Sequence, residues 1–160
     1  EAAAFYLLAY SITLLAVFGV ISVLSTRMKD AEDLAVYKGL FHRQPILTAV
    51  LSVCFFSLAG IPLTAGFIAK FFILASGIQQ NLWLPVLVLV ITSVIGLYYY
   101  LRVISTLFAA SSSSPAAKSL HPFFYASTYI ALVVMMLLLC WLGIFPGRAV
   151  EGIREFLLIR

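Results

Sequence analysis

Polar and apolar positions along this 160-residue chain are sorted into blocks instead of alternating. Charged side chains are absent from four long intervals, residues 2–26, 44–69, 71–101 and 119–147. Each interval exceeds the roughly 20 residues a helix needs to cross about 30 Å of hydrocarbon. Within the intervals apolar residues fall on every face, whereas a membrane barrel strand alternates apolar and polar over about ten residues. The pattern therefore predicts an all-α fold, a polytopic transmembrane bundle of about four spanning helices at residues 3–24, 45–77, 82–107 and 122–145. Residues 27–44, RMKDAEDLAVYKGLFHRQ, are the most polar stretch, with Leu34, Tyr37 and Phe41 as an apolar stripe beside Lys38 and Arg43. They read as a loop with a short helix lying on the membrane surface. Residues 147–160 alternate charge with Val150, Ile153, Phe156 and Leu157 and read as an amphipathic tail.

The second interval is too long for one straight crossing, since 45–77 would measure roughly 50 Å as a continuous helix. The sequence supplies a break at Gly60-Ile61-Pro62. Glycine relaxes the backbone there, and proline removes a donor and clashes with the carbonyl four residues back. Thr64 is then placed to cap the following half, whose first turn includes Ala65 and Gly66. The third span ends in Tyr98-Tyr99-Tyr100-Leu101-Arg102, which suits an interfacial aromatic belt with Arg102 snorkelling to the headgroups. Ser111 to Ser114 with Pro115 read as a flexible connector.

Composition sharpens the class. Hydrophobic residues make up 64% of the chain and charged residues 10%, against about half and a quarter in soluble domains. The formal charge is +4, but most basic residues flank the apolar runs and act as topology determinants, so nucleic acid is not an expected partner. Arg27, Lys29, Lys38, Arg43, Arg102 and Lys118 fall on one side of a four-span chain and Arg148, Arg154 and Arg160 on the other. The first side should be cytoplasmic. Cys54 and Cys140 lie alone in apolar runs and read as small buried apolar residues. Glu1 opens the chain with no Met and no basic region before the first apolar run, so no signal peptide is expected and the chain reads as a piece of a longer polypeptide.

Lys70 is the one charge well inside an apolar stretch, beside Phe67, Ile68, Phe71 and Phe72. A lysine at mid-bilayer costs about 3 kcal/mol on insertion scales, so it must face a cavity or partner, snorkel, or lose its charge part of the time. Burial disfavours the charged amine, and a lysine tuned in that way accepts and releases protons near neutral pH. Broken helices with buried charge mark ion paths in many transporters. The bland alternative is that Lys70 snorkels toward the surface near Gly77. Ser52, Ser57, Thr64, Thr92 and Ser93 are hydroxyls that line a wetted path if one exists, although such groups commonly bond their own backbone. Tyr98, Tyr99 and Tyr100 point about 100° apart, so one or two of them face a shared interior, and Tyr98 and Tyr99 stand with Thr64 as secondary candidates. His42 and His121 read as surface histidines. With no phosphate loop, nucleophile with base, paired carboxylates or metal-ligand cluster, no catalytic, cofactor-binding or metal site is expected.

The stretch SLAGIPLTAGFIAKFFIL, residues 57–74, resembles the broken twelfth helix of the antiporter-like subunits of respiratory complex I, with Lys70 at the place of their buried lysine. DAEDLAVYKGLF, residues 30–41, and GLYYYLRV, residues 96–103, narrow the resemblance to the subunit N branch of the bacterial NADH:quinone oxidoreductase. The resemblance implies that residues 1–160 are the carboxyl-terminal membrane portion of one antiporter-like domain, helices eleven to fourteen of fourteen. It implies a proton-translocating, non-redox subunit of the bacterial inner membrane, with Lys70 on the path leading out of the membrane. Its partners would be lipid and the other membrane-arm subunits; NAD, FMN, iron–sulfur clusters and quinone would sit in other subunits. H⁺ is the implied substrate, with Na⁺ left open. A multi-subunit cation/proton antiporter, a membrane-bound hydrogenase and a purely structural membrane subunit are the rival readings.

Overall fold

The structure, a computed structural model, describes residues 2–25, 34–109 and 122–158. Residues 27–33, the connector Ser111 to Lys118, His121 and residues 159–160 lie outside the described residues. Among the described residues there are seven α-helices and one 3₁₀ turn. Helix α1 spans Ala2–Ser25, α5 Trp83–Phe108 and α6 Pro122–Ile144. Each is apolar over enough length to cross a bilayer. Between α1 and α5 lie α3, Pro45–Ala59, and α4, Ala65–Gln79, of 15 residues each. At 1.5 Å per residue each measures about 22 Å, too short to cross alone, and the two cross only in series.

Helix α1 is the hub, packing on α3, α4 and α6. Its buried positions Phe5, Ala9, Thr13, Ala16 and Val20 recur three or four residues apart and meet Leu47, Val50, Leu51 and Cys54 of α3 and Ala65 and Ala69 of α4. Ala9, Ala16, Ala65 and Ala69 in this contact are small residues of the kind that let membrane helices approach closely. Helix α5 is peripheral, burying only Ile104 and Leu107 and exposing Leu84, Leu87, Ile91 and Val94. Such a surface suits hydrocarbon. Cys54 is fully buried, but Cys140 on α6 is only partly so.

The surface segment departs from the sequence expectation in which residues turn inward. A 3₁₀ turn, Leu34–Tyr37, leads through Gly39, at φ 70°, into the single turn α2, Leu40–Arg43. The left-handed glycine redirects the chain, so Tyr37 and Leu40 enter the core while Leu34 and Phe41 stay exposed. The Gly39 amide donates to the Thr106 carbonyl at 3.2 Å, and the Phe41 ring lies 4.9 Å from that of Phe108. This docking puts Lys38 and Arg43 at the same end of the bundle as Arg102, while Arg148 lies in the first turn of α7, Pro146–Leu158, just past the C-terminal end of α6. Val150 and Ile153 seat α7 against the core.

The break itself is tightly specified. The Gly60 amide donates to the Ser57 carbonyl and the Ile61 amide to Phe56, each at 3.0 Å, with Gly60 at φ 81°. This is the double hydrogen bond of a Schellman cap, which ends α3 and needs glycine at the left-handed position. Leu63 also adopts φ 75° with 73% of its surface exposed. That conformation costs a non-glycine residue about 1–2 kcal/mol, and the side chain gains no burial in return. Packing from α6 holds it: a Cβ on Gly143 would lie 2.4 Å from the Leu63 oxygen and 2.5 Å from the Thr64 carbonyl carbon, both backbone atoms. Gly143→Ala in the full-length subunit is therefore expected to destabilise it by about 1–3 kcal/mol. Gly147→Ala, where nothing lies within 4 Å, is the control, and equal melting temperatures for the two variants would show that α6 does not brace the break.

Candidate functional site at the helix break

Helical side chains tilt toward their own N-terminus, so the Lys70 stem runs back along α4 toward the break. It passes Gly60, where a Cβ would meet Lys70 Cδ at 3.2 Å. The ammonium then donates to the Leu58 carbonyl at 2.7 Å. In an unbroken helix that carbonyl would accept from the amide of residue 62, but residue 62 is proline and has none. The ammonium therefore satisfies an oxygen that would cost several kcal/mol if left bare in a membrane. It also sits at the negative end of the α3 dipole. Lys70 is half-buried and turned to the break; it does not extend toward Gly77.

The start of α4 differs from the sequence expectation for Thr64. Thr64 does occupy the N-cap position, but its hydroxyl makes no cap bond and instead donates to the Ile61 carbonyl at 2.7 Å, closing the turn. The cap oxygen comes from the other half-helix, where Ser57 Oγ accepts from the Gly66 amide at 3.1 Å. Gly66 is present for space: a Cβ there would fall 1.9 Å from the Ser57 carbonyl oxygen. Thr13 of α1 completes the cluster, 3.5 Å from Ser57 Oγ, with its own proton donated to the Ala9 carbonyl at 2.7 Å.

Lys70 opens onto a half-open cavity of about 220 Å³, many times the roughly 15 Å³ that one water needs. Three helices each present one face to it, recognisable by spacing: Tyr6, Ala9, Tyr10 and Thr13 of α1; Gly66, Ala69 and Lys70 of α4; Leu89, Thr92, Ser93, Gly96 and Tyr100 of α5. Ser57 and Leu58 close the wall from α3. Of the sequence candidates, Lys70, Ser57, Thr92 and Ser93 are brought together here. Thr92 donates to Val88 at 2.8 Å, so its hydroxyl proton is engaged and the oxygen is left as an acceptor. Thr64 is buried outside the lining. Ser52 is buried on α3 away from it, and its hydroxyl has no hydrogen-bond partner among the described residues.

Tyr98 and Tyr99 are 64% and 57% exposed and lie off the cavity face; of the three consecutive tyrosines it is Tyr100 that lines the cavity. Its ring folds back over Gly96, where a Cβ would approach within 3.2 Å, and stacks on Phe55 at 5.8 Å. The reason is phase: Thr92, Ser93 and Gly96 set a face whose next position, four on, is residue 100. That signal was present in the sequence. Tyr6 and Tyr10, stacked at 5.9 Å, also line the cavity, on the face that Thr13 marks by the same three- and four-residue spacing. A second, mostly apolar cavity of about 380 Å³ lies where Ala2 and Ala3 meet Ile73, Pro85 and Val86. Its polar rim residues Gln80 and Ser76 bond each other at 3.1 Å. Among the described residues no three His, Cys, Asp or Glu side chains gather as metal ligands would.

The family model described as NADH:quinone oxidoreductase/Mrp antiporter, TM, matches residues 1–96. NADH-quinone oxidoreductase subunit N of Ectopseudomonas mendocina (strain ymp) is 42% identical over 161 aligned positions, which cover 99% of this chain and 33% of that protein. A chain in the structure of respiratory complex I from Thermus thermophilus with bound Aureothin shares the fold with a TM-score of 0.74 and 29% identity, over 91% of this chain and 32% of that one. The chain thus spans about a third of the length of the relatives it matches.

Proposed function

The chain belongs to the NADH:quinone oxidoreductase/Mrp antiporter transmembrane family, and we propose that it is the carboxyl-terminal part of a proton-translocating, subunit N-like membrane subunit of a bacterial NADH:quinone oxidoreductase. The observation that carries this reading is the Lys70 ammonium held at a broken helix beside a polar cavity. Identity to subunit N across nearly the whole chain supports it over a cation/proton antiporter or hydrogenase subunit. The subunit lies in the inner membrane with its Lys38, Arg43 and Arg102 end cytoplasmic. Its partners are lipid and other membrane-arm subunits, and the redox cofactors reside in other subunits.

In this reading Lys70 takes up a proton while its ammonium is stabilised by the Leu58 carbonyl and the α3 dipole. It releases the proton through cavity water and hydroxyls when a neighbouring charge moves. A change of about 1.4 kcal/mol in its interactions shifts its proton affinity tenfold. No proton chemistry is assigned to the chain apart from the rest of the subunit.

The cavity face supplies a test. Tyr100→Phe in the full-length subunit should lower proton translocation by the assembled complex about threefold, because the ring stays and a single relay hydroxyl goes. Tyr98→Phe and Tyr99→Phe should leave it unchanged. A larger effect at Tyr98 or Tyr99 than at Tyr100 would mean that protons pass on another face of α5.

A further inference from the structure

We propose that Ser57 is the positioning residue for Lys70, joining α1, α3 and α4 through one hydroxyl so that the ammonium meets the Leu58 carbonyl; this rests on the reading of Lys70 as a proton carrier. The hydrogen-bond accounting at Ser57 fixes the roles. The first amides of α4 have no helical acceptor. The residue placed to serve them, Thr64, has its hydroxyl turned to Ile61. Ser57 Oγ accepts from Gly66 instead, across the break. Thr13 has one hydroxyl proton, and it goes to Ala9 at 2.7 Å, so in the 3.5 Å contact between the two hydroxyls Ser57 is the donor.

Both hydroxyl residues are 1% exposed, at the wall of the cavity. A serine in a membrane helix ordinarily bonds its own preceding turn. Ser57 differs in accepting from a separate helix. Its backbone is engaged as well, because its carbonyl takes the Gly60 amide and forms part of the Schellman cap.

The link to Lys70 is geometric. Gly66 and Lys70 are four residues apart and share the α4 face that lines the cavity. Pinning the Gly66 amide to Ser57 sets both the axial register and the rotation of the first turn of α4. The Lys70 side chain, directed back along that turn, then arrives at the carbonyl of Leu58, the residue next to Ser57. Without the serine oxygen the Gly66 amide loses its fixed partner, the first turn of α4 is less firmly set against α3, and the ammonium loses its fixed distance to Leu58.

The test measures proton translocation per assembled complex carrying the full-length subunit with Ser57→Ala, Ser57→Cys or Lys70→Ala. Ser57→Ala should lower it about tenfold, the effect of leaving the part-buried Gly66 amide without its acceptor. Ser57→Cys, which keeps a weak acceptor at nearly the same place, should recover part of the loss. If Ser57→Ala fails to assemble, Ser57→Cys against the unsubstituted complex carries the comparison, with a drop of a few fold expected. Wild-type translocation per assembled complex in Ser57→Ala, or in Ser57→Cys where only that variant assembles, would overturn the proposal while leaving Lys70 as carrier. So would a Ser57→Cys variant no better than Ser57→Ala, since a structural defect is not rescued by an acceptor. Wild-type translocation in Lys70→Ala would instead sink the proton-carrier reading itself.

Discussion

Replacing Lys70 by Ala in the full-length subunit is expected to cut proton translocation by the assembled complex at least about tenfold, with insertion and assembly intact. A positioned proton-transfer group typically contributes about 100-fold or more, so tenfold is a conservative bound. Insertion should not suffer, because removing a charge from a spanning segment relieves a cost of about 3 kcal/mol. The Leu58 carbonyl that loses its donor borders a cavity of about 220 Å³, with room for water to take the place of the ammonium. A purely structural lysine makes the opposite pair of expectations: about 2 kcal/mol of stability lost with the ammonium–carbonyl bond, and translocation unchanged. Lys70→Gln separates the two further, since its amide still offers a donor toward Leu58 but carries no exchangeable charge. A structural lysine would be rescued by Gln; a proton carrier would not. Translocation restored by Gln would end the carrier reading.

The bundle was legible because a bilayer imposes a coarse rule that charge spacing obeys. Four charge-free intervals needed only counting, and the break at Gly60 and Pro62 announced itself through two residues with strong backbone preferences. Lys70 stood out for the same reason, as an ionised group where ions are costly. The direction of its side chain was not legible. Nothing in the local sequence says that the ammonium turns back to a carbonyl whose helical donor is missing, although Pro62 four residues after Leu58 marks that carbonyl as an orphan.

Finer features failed where tertiary contact overrode local chemistry. Thr64 has the right residue type and position for a cap, yet the oxygen that takes the Gly66 amide comes from Ser57, nine residues before Gly66 and on the other half-helix. Tyr98, Tyr99 and Tyr100 are indistinguishable by type, and only the phase of the Thr92, Ser93 and Gly96 face selects among them. In the surface segment, the left-handed turn at Gly39 decided that Leu40 would be buried and Phe41 exposed. Glycine was the common blind spot. Gly60 needs its conformation, which a sequence motif can suggest; Gly66 and Gly143 need space, which only the neighbouring backbone reveals.

That distinction makes Gly66→Ala the most disruptive single-carbon change available at the break. The added Cβ would lie 1.9 Å from the Ser57 carbonyl oxygen and 2.9 Å from its Oγ. The carbonyl cannot give way cheaply, because the Gly60 amide holds it at 3.0 Å in the Schellman cap. Helix α4 must withdraw instead, by more than about 1 Å to reach ordinary carbon–oxygen contact. That movement lengthens the 3.1 Å bond from the Gly66 amide to Ser57 and the 2.7 Å bond from Lys70 to Leu58 together. The expected loss is about 3 kcal/mol or more, the upper range for overpacking with a hydrogen bond broken. Translocation should fall with it by at least about tenfold, as the lysine leaves its partner. Gly60→Ala should be milder, about 1–2 kcal/mol for its left-handed φ, because the atoms its Cβ meets belong to the flexible Lys70 chain. Melting temperature and translocation of the two variants, measured side by side in the full-length subunit, should rank Gly66→Ala well below Gly60→Ala. The reverse order would mean that the two half-helices do not meet at Ser57 and Gly66, and the seat of the Lys70 ammonium would go with them.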